Sequence, residues 1–294
     1  MSRWQADLTL VFITVIWGST FVMVKNALDD VQPMTFVAWR FWIATLVLVF
    51  LFRQQARTIS QAEWRAGMLI GLFLAMGYIF QTIGLQYTTS AKAGFITGLN
   101  IVLVPIFSAM LLRQAPGRWA VLGVVLATVG LALLSLNADL TLQRGDAWVM
   151  ACAVAFALHI VSISHFTARH SAISLAIVQI ATVALAATLA AFVFEQPRVR
   201  LPLDTWGAIA FTGVVATALV FSLQTYVQRF TTATHTALIF SLEPVFAALF
   251  GWWWAGEVLG PREVVGSALI LGGMLVAELG ALVVAQKNLE LEEA

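Results

Sequence analysis

Charge is what this chain has least of. Of its 294 residues only 11% are Asp, Glu, Lys or Arg, while 61% are hydrophobic; soluble domains carry about 25% charged residues. So few charges cannot cover a water-facing surface, and most of the surface must meet lipid. The single cysteine, Cys152, excludes an internal disulfide and, lying in an apolar run, reads as packing. No Walker-type phosphate loop is present, which removes ATP as the direct energy source. With a formal net charge of +1 and no basic tail or stripe, nucleic acid is not expected as a partner. No second His or acid stands at metal-ligand spacing from His159, so no metal and no other cofactor is expected.

What the chain has instead is apolar segments bounded by Pro, Gly, Arg and Asp clusters. They run approximately over 6–28, 34–52, 66–86, 90–112, 118–136, 146–166, 174–194, 205–228, 234–254 and 262–285, each close to the roughly 20 residues a membrane-spanning helix needs. These expectations describe an all-α integral membrane protein of ten transmembrane helices, with no length left for a soluble domain. Arg3 precedes the first segment, which is too long for a signal peptide and lacks a small-residue cleavage site. It is therefore read as part of the mature protein.

The segments fall into two sets of five. Gln81-Thr82, Thr88-Thr89, Leu99, Val102, Phe107, Gly117, Gly123 and Gly130 recur as Gln224-Thr225, Thr231-Thr232, Leu242, Val245, Phe250, Gly260, Gly266 and Gly273, all at one offset (224 − 81 = 143). Nearer the start of each set, Trp17-Gly18, Thr20 and Arg40 stand opposite Phe156-Ala157, His159 and Gln179 at an offset of 139 (156 − 17). The difference of four residues is expected between the second and third spans of each set. Because five is odd, the second set must insert upside down, giving two inverted five-helix repeats over 1–140 and 141–285, followed by a short acidic cytoplasmic tail over 286–294.

Lys and Arg fix the expected orientation. Arg3, Arg53, Arg57, Arg65, Arg113, Arg118, Arg169, Arg229 and Lys287 share one face; Lys25, Lys92, Arg144, Arg198, Arg200 and Arg262 share the other. In the first half the split is six against two, and early spans dominate insertion. Both termini are expected in the cytoplasm.

Three motifs carry a family resemblance: Trp17-Gly-Ser-Thr-Phe21 in the first span, Thr97-Gly-Leu-Asn-Ile-Val-Leu-Val-Pro105 in the fourth, and Ser241-Leu-Glu-Pro-Val-Phe-Ala247 in the ninth. Together with the duplication they resemble the drug/metabolite transporter superfamily, specifically its EamA-type ten-helix members, and within it the YddG-like amino-acid exporters. The resemblance covers essentially the whole chain. It implies a multi-pass carrier of the bacterial inner membrane that exports amino acids, aromatic and neutral ones favoured, or similar small metabolites. One departure stands out: Asn100-Ile101 in the first half lies where the second has Glu243-Pro244.

Polar side chains at mid-span are costly in hydrocarbon and should face protein or a water-filled cavity. Trp17, Asn100, His159 and Glu243 lie near the middles of their spans, and Asn100 and Glu243 are repeat partners. Tyr78, Gln81 and Thr82, matched by Phe221, Gln224 and Thr225, form stripes toward the periplasmic and cytoplasmic ends respectively. The expected substrate site is one central cavity bordered by Trp17, Tyr78, Gln81, Asn100, His159, Gln224 and Glu243, with the fifth and tenth spans peripheral. Glu243 has three readings: proton carrier, counter-ion for a substrate ammonium, or structural acceptor at a helix break made by Pro244.

Each residue has a structural alternative. Gln81, Gln224, Asn100 and the Thr pairs bond across helix interfaces in many bundles; Trp17 also reads as packing, and His159, beside Ser162, as one end of an interhelical bond. Lys25 and Lys92 snorkel to headgroups, and Glu278 is placed near enough to the interface to reach it. Arg40 is deeper, where pathway lining, a bond to backbone carbonyls and snorkelling all stand open. Trp252-Trp253-Trp254 reads as an interfacial anchor. Gly123, Gly130, Gly266 and Gly273, seven residues apart on the fifth and tenth spans, permit close packing within a monomer or between the copies of a homodimer.

Three function classes follow. A secondary carrier of a small-molecule substrate explains the duplication and the mid-span polar layer. A passive channel would show rings of one residue type, and none is visible. An intramembrane enzyme has only Gly18-Ser19 with His159 or His235 to offer, without an orienting third group; the chain is read as a carrier and not as an enzyme.

Overall fold

The computed structural model describes residues 1–85, 87, 96–135, 144–197, 200–255 and 260–292. Thirteen α-helices follow one another among them: α1 (Arg3–Ala27), α2 (Pro33–Leu51), the short α3 (Arg53–Arg57), α4 (Gln61–Leu85), α5 (Asn100–Leu112), α6 (Arg118–Ser135), α7 (Arg144–Thr167), α8 (Ala172–Phe194), α9 (Leu203–Gly213), α10 (Val220–Val227), α11 (Ala233–Phe240), α12 (Glu243–Ala255) and α13 (Pro261–Glu292). No strand occurs among the described residues. The helices begin where the chain supplies caps. Ser2 with Gln5, and Ser60 with Glu63, close reciprocal capping boxes on α1 and α4. Pro33 opens α2 with its φ already helical, and Ser171 and Thr232 cap α8 and α11.

Six helical stretches among the described residues are long and apolar enough to cross a membrane: Pro33–Leu51, Gln61–Gly84, Arg144–Thr167, Ala172–Phe194, Leu203–Val227 and Ala233–Trp254. Shorter apolar helices cover Ile96–Leu112, Arg118–Leu133 and Val264–Ala277. The boundary expected at 140/141, the Thr88-Thr89 pair and Lys92 lie outside the described residues, as do the side chains of Lys25 and Glu278. Helix α13 continues through the segment read as a tail, as far as Glu292.

The extensive helix packing pairs residues 1–135 with residues 144–292. Helix α6 lies on α13, α4 on both α7 and α8, α2 on α8, α1 on α12, and α5 on α7. The two halves interleave, and one buried cluster draws Leu10, Val104 and Leu131 together with Ala157, Val220, Leu242 and Ile270. Glu195, at the end of α8, accepts from the backbone N–H groups of Met34 and Thr35 at 2.7 and 2.8 Å, so one half caps a helix of the other.

The glycine stripe is spent inside the molecule. A Cβ on Gly123 would lie 2.5 Å from the Gly273 carbonyl oxygen, and one on Gly130 would lie 2.5 Å from that of Gly266. Contacts that fall along α13 as they rise along α6 make the two helices antiparallel. The offset of 143 exchanges the two pairs (123 + 143 = 266; 130 + 143 = 273), as a two-fold axis between the helices requires.

A second pair of close approaches corrects the alignment of the halves. A Cβ on Gly71 would meet Gln179 O at 2.7 Å and Thr182 Cβ at 2.6 Å, and one on Gly213 would meet Arg40 O at 2.9 Å and Ile43 Cβ at 3.1 Å. Arg40 and Ile43 map to Gln179 and Thr182 at the offset of 139, yet Gly71 maps to Gly213 at 142 (213 − 71) and Tyr78 to Phe221 at 143 (221 − 78). Of the four residues expected between the second and third spans, three lie there and one lies inside the rod that joins α9 to α10. The rod absorbs it as a π-helical segment, Val214–Leu219, the form a helix takes when one residue is added to a turn.

Candidate functional site

The π segment sets the site, because a widened turn leaves carbonyls open to side chains. Arg40, in the middle of α2, donates from Nε to Thr217 Oγ1 at 2.6 Å and from Nη2 to the Ala216 carbonyl at 3.3 Å. The indole Nε1 of Trp17 donates to that same carbonyl at 3.0 Å. Arg40 is 6% exposed; of its three sequence readings, the bond to backbone is the one formed. Its guanidinium carbon lies 5.7 Å from the ring centre of Phe41 and 5.6 Å from that of Tyr78, within cation–π range.

Aromatic rings wall this centre. Tyr78 meets Phe41 at 5.2 Å and Phe156 at 5.7 Å, while Trp17 meets Phe221 at 5.5 Å and Phe240 at 5.1 Å. Glu243 arrives from the far side. Pro244 has no N–H to give, and the helix breaks at residues 241–242, so that Glu243 starts α12. Phe240, three residues before it, packs on Trp17, and the backbone three to four residues after it, at Phe246 and Ala247, presses on Gly18. Glu243 therefore sits on the α12 face turned to Trp17. Its charge couples electrostatically to Arg40, and both couple to Tyr78. Among the described residues no hydrogen bond, and no ion pair within 4.0 Å, holds the Glu243 carboxylate.

A second polar cluster adjoins the first across Phe221, whose ring lies 6.0 Å from that of His159. Thr225 Oγ1 donates to the Phe221 carbonyl at 2.6 Å, so it can only accept from Gln179 Nε2, at 2.8 Å. That orients Gln179 Oε1 toward His159 Nε2 at 2.9 Å and requires the histidine to be the donor there. His159 thus has its interhelical bond, with Gln179. Gln224, 1% exposed, donates to Gln228 Oε1 at 3.2 Å, and Gln228 donates to the Ile160 carbonyl at 3.3 Å and to Ser164 Oγ at 3.2 Å. The Gln224 Oε1 atom is buried without a partner among the described residues.

The remaining two expected site residues stand apart from both clusters. Gln81 donates to Thr97 Oγ1 at 3.4 Å, and Thr97 contacts Cys152 Sγ at 3.9 Å. Asn100 is half-buried and opens α5 after an interruption at Leu99, the repeat counterpart of the break before Glu243. Among the described residues it has no side-chain bond, to Glu243 or otherwise. Of the seven, Trp17, Tyr78 and Glu243 converge, His159 and Gln224 form the neighbouring cluster, and Gln81 and Asn100 are joined to neither by a bond. A small apolar cavity between α2, α4 and α8, lined by residues including Met34, Ala75 and Val183, has Tyr78 as the only one of the seven in its wall.

Residue-by-residue reading missed Gln179, Thr217 and Gln228, and it left Arg40 undecided. The pairing of Arg40 with Gln179 across the repeat was the signal available for two of them. Reading also missed the buried pair of Asp7 Oδ1 and His235 Nε2 at 3.0 Å, which ties α1 to α11. Ser19 Oγ donates to the Ile16 carbonyl at 2.8 Å and to neither histidine. Trp252, Trp253 and Trp254 are all exposed, as an interfacial anchor would be.

Known proteins of similar sequence are transporters. An uncharacterized transporter of Archaeoglobus fulgidus is 35% identical over 95% of this chain and 87% of its own length. Two uncharacterized transporters of Bacillus subtilis are more distant: YoaV is 23% identical, covering 92% of this chain and 95% of its own length, and YyaM is 24% identical, covering 94% of each. A solved crystal structure superposes with a TM-score of 0.82 at 22% identity, over 94% of this chain and 98% of that one, a likeness of fold. The model of the EamA-like transporter family matches twice, over residues 4–136 and 143–278. With a family model covering nearly all of its length in two successive copies, this multi-pass membrane protein belongs to the EamA-like transporter family.

Proposed function

We propose that the protein is a secondary carrier of the bacterial inner membrane that moves amino acids, aromatic and neutral ones favoured, or similar small metabolites outward by alternating access. In this reading ten spans form two inverted five-helix halves, both termini are cytoplasmic, and the carrier works as a monomer or homodimer without ATP. The observation that carries the proposal is that residues of opposite charge from opposite halves stand around one aromatic centre without pairing within 4.0 Å. Arg40 comes from the first half and Glu243 from the second, beside a helix break and inside a ring of aromatic side chains. A group placed between them contacts both halves at once, so rocking one half against the other changes which side it faces. The twofold match of the family model and the self-exchanging glycine contacts of α6 and α13 support the inverted arrangement.

Trp17, Tyr78 and Glu243 are assigned to the substrate site proper. His159 and Gln224 form its flank, and Gln81 and Asn100 line the approach from the other end. The test is transport in liposomes across a set of amino acids: uptake should saturate and be accelerated by unlabelled substrate on the far side. Flux that rises linearly with concentration and shows no counterflow would replace the carrier by a passive channel.

A further inference from the structure

Arg40 is a buried cation that no carboxylate among the described residues answers within 4.0 Å. A guanidinium carries five N–H donors. Among the described residues Arg40 donates to Thr217 Oγ1 and to the Ala216 carbonyl and stands within hydrogen-bonding reach of the Tyr78 hydroxyl, and no carboxylate lies within 4.0 Å of it. Removing such a charge from water is costly unless an anion and further acceptors answer it. All of these partners are neutral, and Thr217 and the Ala216 carbonyl come from the π segment, where a helix of the second half carries one residue more than its counterpart. They hold the guanidinium in place without neutralising it, over Phe41 and Tyr78.

We propose that Arg40 binds the carboxylate of the transported solute, with Thr217 and the Ala216 carbonyl as its positioning partners. The inference rests on the carrier reading above and adds to it the residue that recognises the anionic end. The planar fork matches a carboxylate in bidentate geometry. Glu243 across the site adds a negative charge that disfavours a dianion such as a phosphate ester and favours a solute carrying an ammonium beside its carboxylate. The rings of Trp17, Phe240 and Phe221 then meet the side chain of that solute.

The experiment measures thermal stabilisation of the purified, detergent-solubilised protein by a panel of amino acids, each paired with its decarboxylated amine. In the wild type, at least one amino acid should bind at least about tenfold more tightly than its amine, the scale of a charge-assisted hydrogen-bonded pair. Arg40→Gln should erase that preference while leaving binding of the amine, and Arg40→Lys should retain only part of it. Thr217→Val keeps the charge and loses the Nε acceptor; it should weaken amino-acid binding several-fold and carries the test if Arg40→Gln does not fold. A carboxylate preference that survives in Arg40→Gln, or in Thr217→Val at full strength, overturns the proposal, and so does a wild type that prefers no carboxylate across the panel. Counterflow in liposomes separates this from the carrier reading. Carboxylate-dependent binding without counterflow would retire the carrier and support the Arg40 site, whereas counterflow with the preference unchanged in Arg40→Gln would do the reverse.

Discussion

The two halves of this molecule agree in how their backbones pack and differ in the chemistry they bring to the centre. Gly123 and Gly130 meet Gly273 and Gly266 in contacts that the repeat exchanges, and Gly71 approaches α8 as Gly213 approaches α2. At the centre the equivalence is broken twice, in opposite senses. Arg40 has the amide Gln179 as its counterpart, and Glu243 has the amide Asn100. Each half therefore contributes one charge and one neutral amide, and the charges have opposite sign. Duplication supplied the frame; divergence at a few mid-helix positions gave it a polarity that a symmetric dimer of identical halves could not have.

The π segment is part of the same divergence. In the first half Gly71 and Gln81 are ten residues apart; in the second, Gly213 and Gln224 are eleven apart (224 − 213). The extra residue widens one turn, and the carbonyl it frees receives both Trp17 and Arg40. Within the second half itself, Gln179 finds its acceptor, Thr225, on the regular helix α10, and the result is a chain of neutral bonds through His159. One region is anchored yet electrostatically unfinished; in the other, His159, Gln179 and Thr225 bond one another as neutral groups.

The largest expected effect tests the shared frame. Gly130→Leu or Gly273→Leu, at repeat-equivalent positions, forces a side chain into backbone contact and should cost at least about 3 kcal/mol, because overpacking at a backbone crossing cannot relax by side-chain movement. The two substitutions should be equally severe, while Gly272→Ala, with nothing within 4 Å of its added Cβ, should be close to neutral. Thermal unfolding in detergent checks this, and markedly unequal losses at positions 130 and 273 would break the symmetry of the two halves.

Next in size is the contrast between the acid and its amide partner. Glu243→Gln should lower amino-acid transport about 10- to 100-fold, the range expected for losing a charged hydrogen-bond partner, whereas Asn100→Ala should lower it by several-fold at most. Counterflow rates normalised to the amount of protein in the liposomes provide the comparison. Equal losses would show that both helix breaks contribute alike and that the asymmetry of charge has no functional consequence.

The smallest effect sharpens the difference between the charged centre and the neutral chain of bonds. Thr225→Val removes two hydrogen bonds, from Gln179 Nε2 and to the Phe221 carbonyl, and should cost about 1–2 kcal/mol, lowering the unfolding temperature by several degrees, with substrate affinity unchanged. A loss of affinity matching that of Thr217→Val would mean that both regions hold the solute.

Much of this architecture was legible in order along the chain. Lipid as solvent, an all-helical chain with six stretches long and apolar enough to span, the twofold match and the family followed from hydropathy, charge and repeated motifs, because a bilayer imposes length and apolarity locally and a repeat preserves spacing. Pro244 announced the break before Glu243, since a missing N–H is a property of one residue. The corresponding interruption at Leu99 had no such marker, nor did the site of the inserted residue, since the offset between halves reports how many residues were added and not where. Arg40 could not be assigned because a mid-span arginine looks the same whether it snorkels, lines a pathway or bonds a carbonyl on another helix. Only the folded chain decided that, by bringing Ala216 and Thr217 to α2 across 176 and 177 residues of sequence. Spans are written in local composition, whereas which polar groups share a carbonyl depends on helix rotation and register, and these are set by packing against distant segments.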